Sequence, residues 1–152
     1  MSKNSKSAAA MFLEGCNCAQ AVLAACGRDY GLPRDTALRV AQAFGGGMGR
    51  TGNVCGAATG ALMVIGLKGS SNDPAAKAES GRIAREFLTQ FKARQGSLLC
   101  RDIIGCDLST PEGLKFAHES GRHQTLCPKA VRDAAEIVED LLNAKEPRDE
   151  SK

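Results

Sequence analysis

The run Cys55–Leu67, "CGAATGALMVIGL", is the most apolar stretch of the chain and the one that most restricts it. Its 13 residues end at Lys68, short of the roughly 20 that a membrane-spanning helix requires. It reads as a buried helix. Gly56 and Gly60 lie four apart, on one face of that helix, and let another segment, such as the one carrying Cys18, approach closely. The rest of the chain fits such packing, because aromatic residues are only 4%, with no Trp and one Tyr. A core of Ala, Leu, Val, Ile and Met suits closely packed helices better than a sheet, which favours β-branched and aromatic side chains. At 152 residues the chain can bury one proper core. The expected fold is all-α: a single domain, a compact bundle of about five to six helices.

Helix boundaries follow from the punctuation. Residues 1–6 are polar and expected to be disordered. A first helix is predicted from Ser7 to Cys26, with Met11, Phe12, Gly15, Cys18, Ala19, Val22, Leu23 and Cys26 on one stripe at about 100° per residue. Cys18 then faces inward and Cys16 sits at the rim. The second helix covers "RDTALRVAQAF", with Asp35 as N-cap, and ends at the triple glycine Gly45–Gly47. The third begins near Asn53 or Cys55. Asp73 and Pro74 open the fourth, which turns Ile83, Phe87, Leu88 and Phe91 inward and closes at Gly96. Ser97 caps a short helix over "SLLCRDIIG", and Thr110-Pro111 opens another. Pro128 fits the first position of the last helix, so Cys127 is expected at or next to its N-cap. Val131, Ala134, Ala135, Val138, Leu141 and Leu142 form that helix's buried face. The helical domain is thus placed at 7–144, followed by a loose polar tail, 145–152.

The stretch "GGGMGRTGNVCGAATG" contains a literal GxGxxG, Gly47 to Gly52. That pattern binds dinucleotides only between a strand and a helix of a βαβ unit. Here it follows a helix and no second strand comes after it. No Gly-Lys-Ser/Thr ending exists, which removes a Walker loop. The glycines either make a tight helix-to-helix crossing or, with Arg50, hold a small anion on their backbone N–H groups.

Seven cysteines is a high, odd count, so complete internal pairing is impossible. No secretion signal is visible, and a cytoplasmic location is expected. In a reducing compartment, clustered cysteines point to metal or redox chemistry. Cys55 and Cys127 are both predicted at helix N-termini, where the dipole and free N–H groups favour a thiolate. Cys18 lies on a buried stripe and Cys100 in a short helix. These four come from four separate segments that a fold can gather. Cys26 and Cys106 are read as small buried hydrophobes. The spacings contain no C-x-x-C.

Other classes find no support. The net charge of +3 is mild and its charges are interleaved, which excludes a nucleic-acid footprint. His118 and His123 are read as separate surface histidines. No Ser-His-Asp arrangement or hydrolytic carboxylate pair is present.

Four blocks occur in order: "EGCNCAQAVL", "FGGGMGRTGNVCGAATGALMVIGLKG", "REFLTQFKARQGSLLCRDIIG" and "CPKAVRDAAEIVEDLL". Together they resemble the C_GCAxxG_C_C family, from about residue 10 to 143. The resemblance implies a small helical protein whose redox activity is inferred from four cysteines: here Cys18, Cys55, Cys100 and Cys127. Family members are often encoded near transporters. Cys16, Cys26 and Cys106 are additions to that pattern, and Cys16 leaves open which of the first two cysteines reacts. Three functions follow as expectations. The first is thiol–disulfide exchange or redox sensing with a redox partner protein or a small thiol or oxidant. The second is zinc or an iron–sulfur cluster on the same four cysteines. The third is a non-catalytic helical module associated with a transporter. A homodimer through small-residue faces is a further possibility.

Overall fold

A computed structural model of the chain describes residues 2–69 and 71–144. Eight α-helices follow one another among them: α1 Lys3–Leu13, α2 Cys18–Gly27, α3 Arg34–Val40, α4 Gly56–Gly69, α5 Pro74–Gln95, α6 Cys100–Ile104, α7 Pro111–Glu119 and α8 Arg122–Asn143. Two 3₁₀ turns, Arg28–Tyr30 and Gln42–Phe44, flank α3. The described residues contain no strand, only an isolated bridge between Val54 and Leu99. None of their helices is long and apolar enough to cross a membrane. The tail 145–152 lies outside the described residues.

The centre is a pair of helices without a polar face. In α2 every residue from Ala21 to Gly27 is buried, and in α4 every residue from Gly56 to Ala61. A helix apolar all round belongs in the core. α1, α3 and α8 pack on α2, while α5 and α8 pack on α4. The amphipathic helices close the outside. α8 buries Val131, Ala134, Ala135, Val138 and Leu142 as the 3.6-residue period predicts, with Ile137 added. Leu141 is only half-buried. α5 buries Phe87 and Phe91, whose rings stack at 5.7 Å between centroids. Ile83 and Leu88 are half-buried beside them. Asp73, Gly96 and Thr110 take the capping roles expected of them.

Six boundaries differ from the sequence reading. Leu99, not Ser97, holds the N-cap position of α6, and the helix expected over 34–44 stops at Val40, with Gln42–Phe44 a separate 3₁₀ turn. The predicted first helix is two helices, which with the short elements raises the total from five or six to eight. Gly15, at φ +117°, breaks it, and Asn17 restarts it with a capping box. In that box the Asn17 side chain accepts from the Gln20 N–H at 2.8 Å, and the Gln20 side chain accepts from the Asn17 N–H at 2.9 Å. Residues 3–6 are helical rather than disordered, because Ser2 caps α1 and the Asn4 side chain donates to Asp29 at 2.7 Å. Pro33, not Asp35, holds the N-cap position of α3, and Asp35 lies in its first turn. Finally, α8 begins at Arg122, with Pro128 inside it. Tertiary contacts outweigh the interior proline: the Arg122 guanidinium donates to the Ile104 carbonyl at 3.1 Å, and the His123 ring lies 5.0 Å from that of Phe12.

Candidate functional site

A short backbone bridge brings the first two segments of the site together. The Cys55 N–H donates to the Leu98 carbonyl at 2.8 Å, and the Cys100 N–H to the Asn53 carbonyl at 2.7 Å. Cys55 thereby stands immediately before α4. Its carbonyl accepts from the N–H groups of Ala58 and Thr59, at 2.9 and 3.1 Å, as an N-cap residue does. The glycines of α4 then admit the third segment. A Cβ on Gly56 would lie 2.9 Å from the Ala19 nitrogen and 3.2 Å from the Cys18 Cβ. One on Gly60 would lie 2.8 Å from the Ala19 carbonyl oxygen. Only the absence of side chains at both lets the start of α2 lie against the start of α4, which is the close approach expected of that face.

All four candidate cysteines line one cavity of about 480 Å³. Three stand at helix starts: Cys18 is the first residue of α2, Cys55 precedes α4, and Cys100 is the first residue of α6. Cys127 does not. It lies in the second turn of α8, so no helix N-terminus acts on it. The neighbouring Cys127 and Cys55 thiols, and then burial, push the pKa of Cys18 well up. The effect on Cys55 is the opposite. Its pKa is lowered first by the Cys18 S–H, against the pull of burial, and then by the N–H groups of Ala57 and Ala58 at the start of α4. Burial, followed by the neighbouring Cys55, Cys127 and Cys106, pushes Cys100 up to about 12. All seven cysteines are free thiols.

The remaining cysteines are elsewhere. Cys16 lies in the break before α2, and Cys106 after α6, both half-buried. Cys26 is in the core, where burial raises its pKa to about 12.

Sequence reasoning missed the histidines. His118 is exposed, as expected, and His123 half-buried, but the two are not separate: both line the cavity, with ring centroids 4.7 Å apart. Burial and then His118 lower the pKa of His123, which favours its neutral form. Gly121, at φ +78°, turns α7 back onto α8 and creates this pairing. A turn of that kind is not visible in the spacing of two histidines. His123 and Cys127 are one helical turn apart on α8, at i and i+4.

The glycine stretch forms the cavity rim. Gly46, Gly47, Met48, Gly49 and Arg50 all have φ between +62° and +71°, one turn of left-handed backbone. Arg50 reaches the cavity, and its stem crosses Gly46, where a Cβ would lie 2.9 Å from the Arg50 Cγ. Among the described residues no three His, Cys, Asp or Glu side chains are arranged to hold a metal ion. The zinc and iron–sulfur expectation thus finds no preformed ligand set there.

The family model described as "Putative redox-active protein (C_GCAxxG_C_C)" matches residues 16–141. The chain belongs to this family. No curated protein and no solved structure matches it. The C_GCAxxG_C_C match spans the start of α2, the glycine rim, the start of α4 and α8. It therefore covers every segment that brings a cysteine to the cavity. Within it, the Cys-Gly-Ala-x-x-Gly stretch is Cys55 to Gly60. Its cysteine is the one with the lowered pKa, and its two glycines are those against which α2 rests.

Proposed function

We propose that the protein is a dithiol redox protein in which Cys55 attacks and Cys18 resolves. The observation that carries this reading is that Cys18 and Cys55 line one cavity, their segments brought together at Gly56, with the neighbouring Cys18 thiol lowering the pKa of Cys55. The thiolate is the nucleophile in disulfide exchange. A Cys55 thiolate attacks one sulfur of a disulfide R–S–S–R, forms a mixed disulfide and releases RS⁻. The Cys18 sulfur then attacks the Cys55 sulfur, and the second RS group leaves as RSH with the Cys18 proton. Two electrons pass from the two protein sulfurs to the substrate. Neutral His123 supplies a proton acceptor in the same cavity. Cys127 is a further sulfur lining the same cavity.

Mass spectrometry of the alkylated protein after exposure to a small disulfide tests the assignment. The wild type gains an internal Cys18–Cys55 bond. Cys18→Ser accumulates a mixed disulfide on Cys55, and Cys55→Ser loses the rapid reaction. Iodoacetamide labelling of Cys55 rises at a lower pH than that of an ordinary thiol, near about 8.5. Oxidation of Cys55→Ser at the wild-type rate would remove Cys55 from the role.

A further inference from the structure

The wall of the cavity limits what can reach those sulfurs. Cys55 is only 4% exposed, and Cys100 and Cys127 each 9%. A reactant must therefore enter the cavity rather than dock across a surface. Its 480 Å³ falls in the range of about 300–1,000 Å³ typical of small-molecule sites. Phe12, Ile103, Leu108 and Leu114 make much of the wall apolar. The polar residues are selective in sign: Arg50, His118 and His123 line it, and no described Asp or Glu does.

Arg50 is held there at a conformational cost. A non-glycine residue at φ +63° is strained by about 1–2 kcal/mol relative to glycine. Glycine fills most of the same left-handed turn, yet this position carries a guanidinium. Gly46 leaves room for its stem, as a Cβ there would also lie 2.8 Å from the Arg50 Cα. Among the described residues Arg50 makes no ion pair. An unneutralised cation at the mouth of an apolar cavity attracts a small anion and repels a cation.

We infer that the oxidant of this dithiol is a low-molecular-weight disulfide carrying a carboxylate or similar anionic group, oriented by Arg50. The inference rests on the dithiol reading above. The covalent steps are those already written: Cys18 and Cys55 become a disulfide, and the anionic substrate leaves as two thiol equivalents.

Three small disulfides of graded charge test it under single-turnover conditions: 3,3′-dithiodipropionate, bis(2-hydroxyethyl) disulfide and cystamine. Each is compared in wild type and Arg50→Gln, so that intrinsic reactivity cancels within each pair. Loss of Arg50 slows oxidation by the dianion about fivefold, leaves the neutral disulfide unchanged, and leaves or speeds the cation. Raising the salt from about 0.01 to about 0.3 M shrinks the dianion effect in wild type only. Arg50→Gly, which relieves the left-handed strain, gives the same charge dependence in a protein at least as stable. Equal slowing with all three disulfides, or no change with the dianion, overturns the proposal. If even the neutral disulfide fails to oxidise the wild type, the dithiol reading itself falls and takes the substrate class with it.

Discussion

The two ends of α2 each carry a cysteine, and their surroundings are opposite. Cys18, the first residue of the helix, opens onto the cavity that Cys55 and Cys127 also line. Cys26, near the other end, is 2% exposed in the core, where burial is the main cause of its high pKa. Burial alone therefore raises the pKa of a thiol here. A reactive thiol needs, in addition, groups that stabilise its anion: a neighbouring S–H and the N–H groups of a helix start. The same division runs through the molecule. Away from the cavity, small side chains and aromatic rings fill space in relaxed helices. At the Cys18 end, the backbone is left-handed, Gly56 and Gly60 admit another chain segment, and polar groups line a hollow.

If the ends are separable, the largest effect comes from damaging the packed one. Phe87 is fully buried, and Phe87→Ala should cost about 3–5 kcal/mol in urea unfolding, from lost burial and the cavity left behind. Below the unfolding transition, iodoacetamide should label Cys55 in that variant at the wild-type rate. A matched fall in Cys55 reactivity would join the two ends into one unit.

The rim tests the opposite end. Gly47 lies at φ +71°, and a Cβ there would come within 2.6 Å of both the nitrogen and the carbonyl oxygen of Asn53, and 2.8 Å of the Cys100 Cβ. Left-handed strain and overpacking add, so Gly47→Ala should lose about 3 kcal/mol. It should also disturb the bridge that sets Cys55 beside Cys100. Gly49 has nearly the same φ, +62°, but open space around its would-be Cβ. Gly49→Ala carries the strain alone, about 1 kcal/mol. Equal losses from the two variants would show that conformation, and not the close approach to Cys100, makes the rim glycines necessary.

Some of this division could be read from the residues, and the reason some could not is physical. The apolar run Cys55–Leu67 is a local pattern, and it identified one of the two central helices; the other, α2, was read only as the striped end of a longer helix. Gly56 and Gly60 at one helical face announced a close crossing. The four cysteines of the cavity came from the same reading, with Cys55 at its helix start. Cys127 went to the wrong place on α8, because a proline rule is local and contacts of Arg122 and His123 with distant residues extended the helix past it. The split between α1 and α2 was missed because Gly15 is tolerable in a helix. What breaks the helix there is Gly15's φ together with the mutual hydrogen bonds of Asn17 and Gln20. The histidine pair depends on a turn at Gly121, and the left-handed rim on tertiary closure. Neither leaves a periodic trace.

The last effect concerns the buried thiol directly. Cys26 has its pKa raised in the fold, to about 12. The folded protein thus keeps a proton that the unfolded chain gives up near pH 8.5. The stability associated with this is complete below that range and is lost as pH rises toward 12, by about 1.4 kcal/mol per pH unit. Cys100 shifts in the same direction, so total stability is not a clean readout. Comparing wild type with Cys26→Ala removes that contribution, since Cys100 is common to both. At pH 8 the wild type should be the more stable of the two, because the thiol fills its site. Between pH 9 and 10.5 the gap in urea stability should narrow at about that slope. A gap constant across the range would mean that Cys26 ionises in the folded state as easily as in the unfolded one. The contrast between the two ends of α2 would then rest on packing rather than on the charge a buried sulfur can bear.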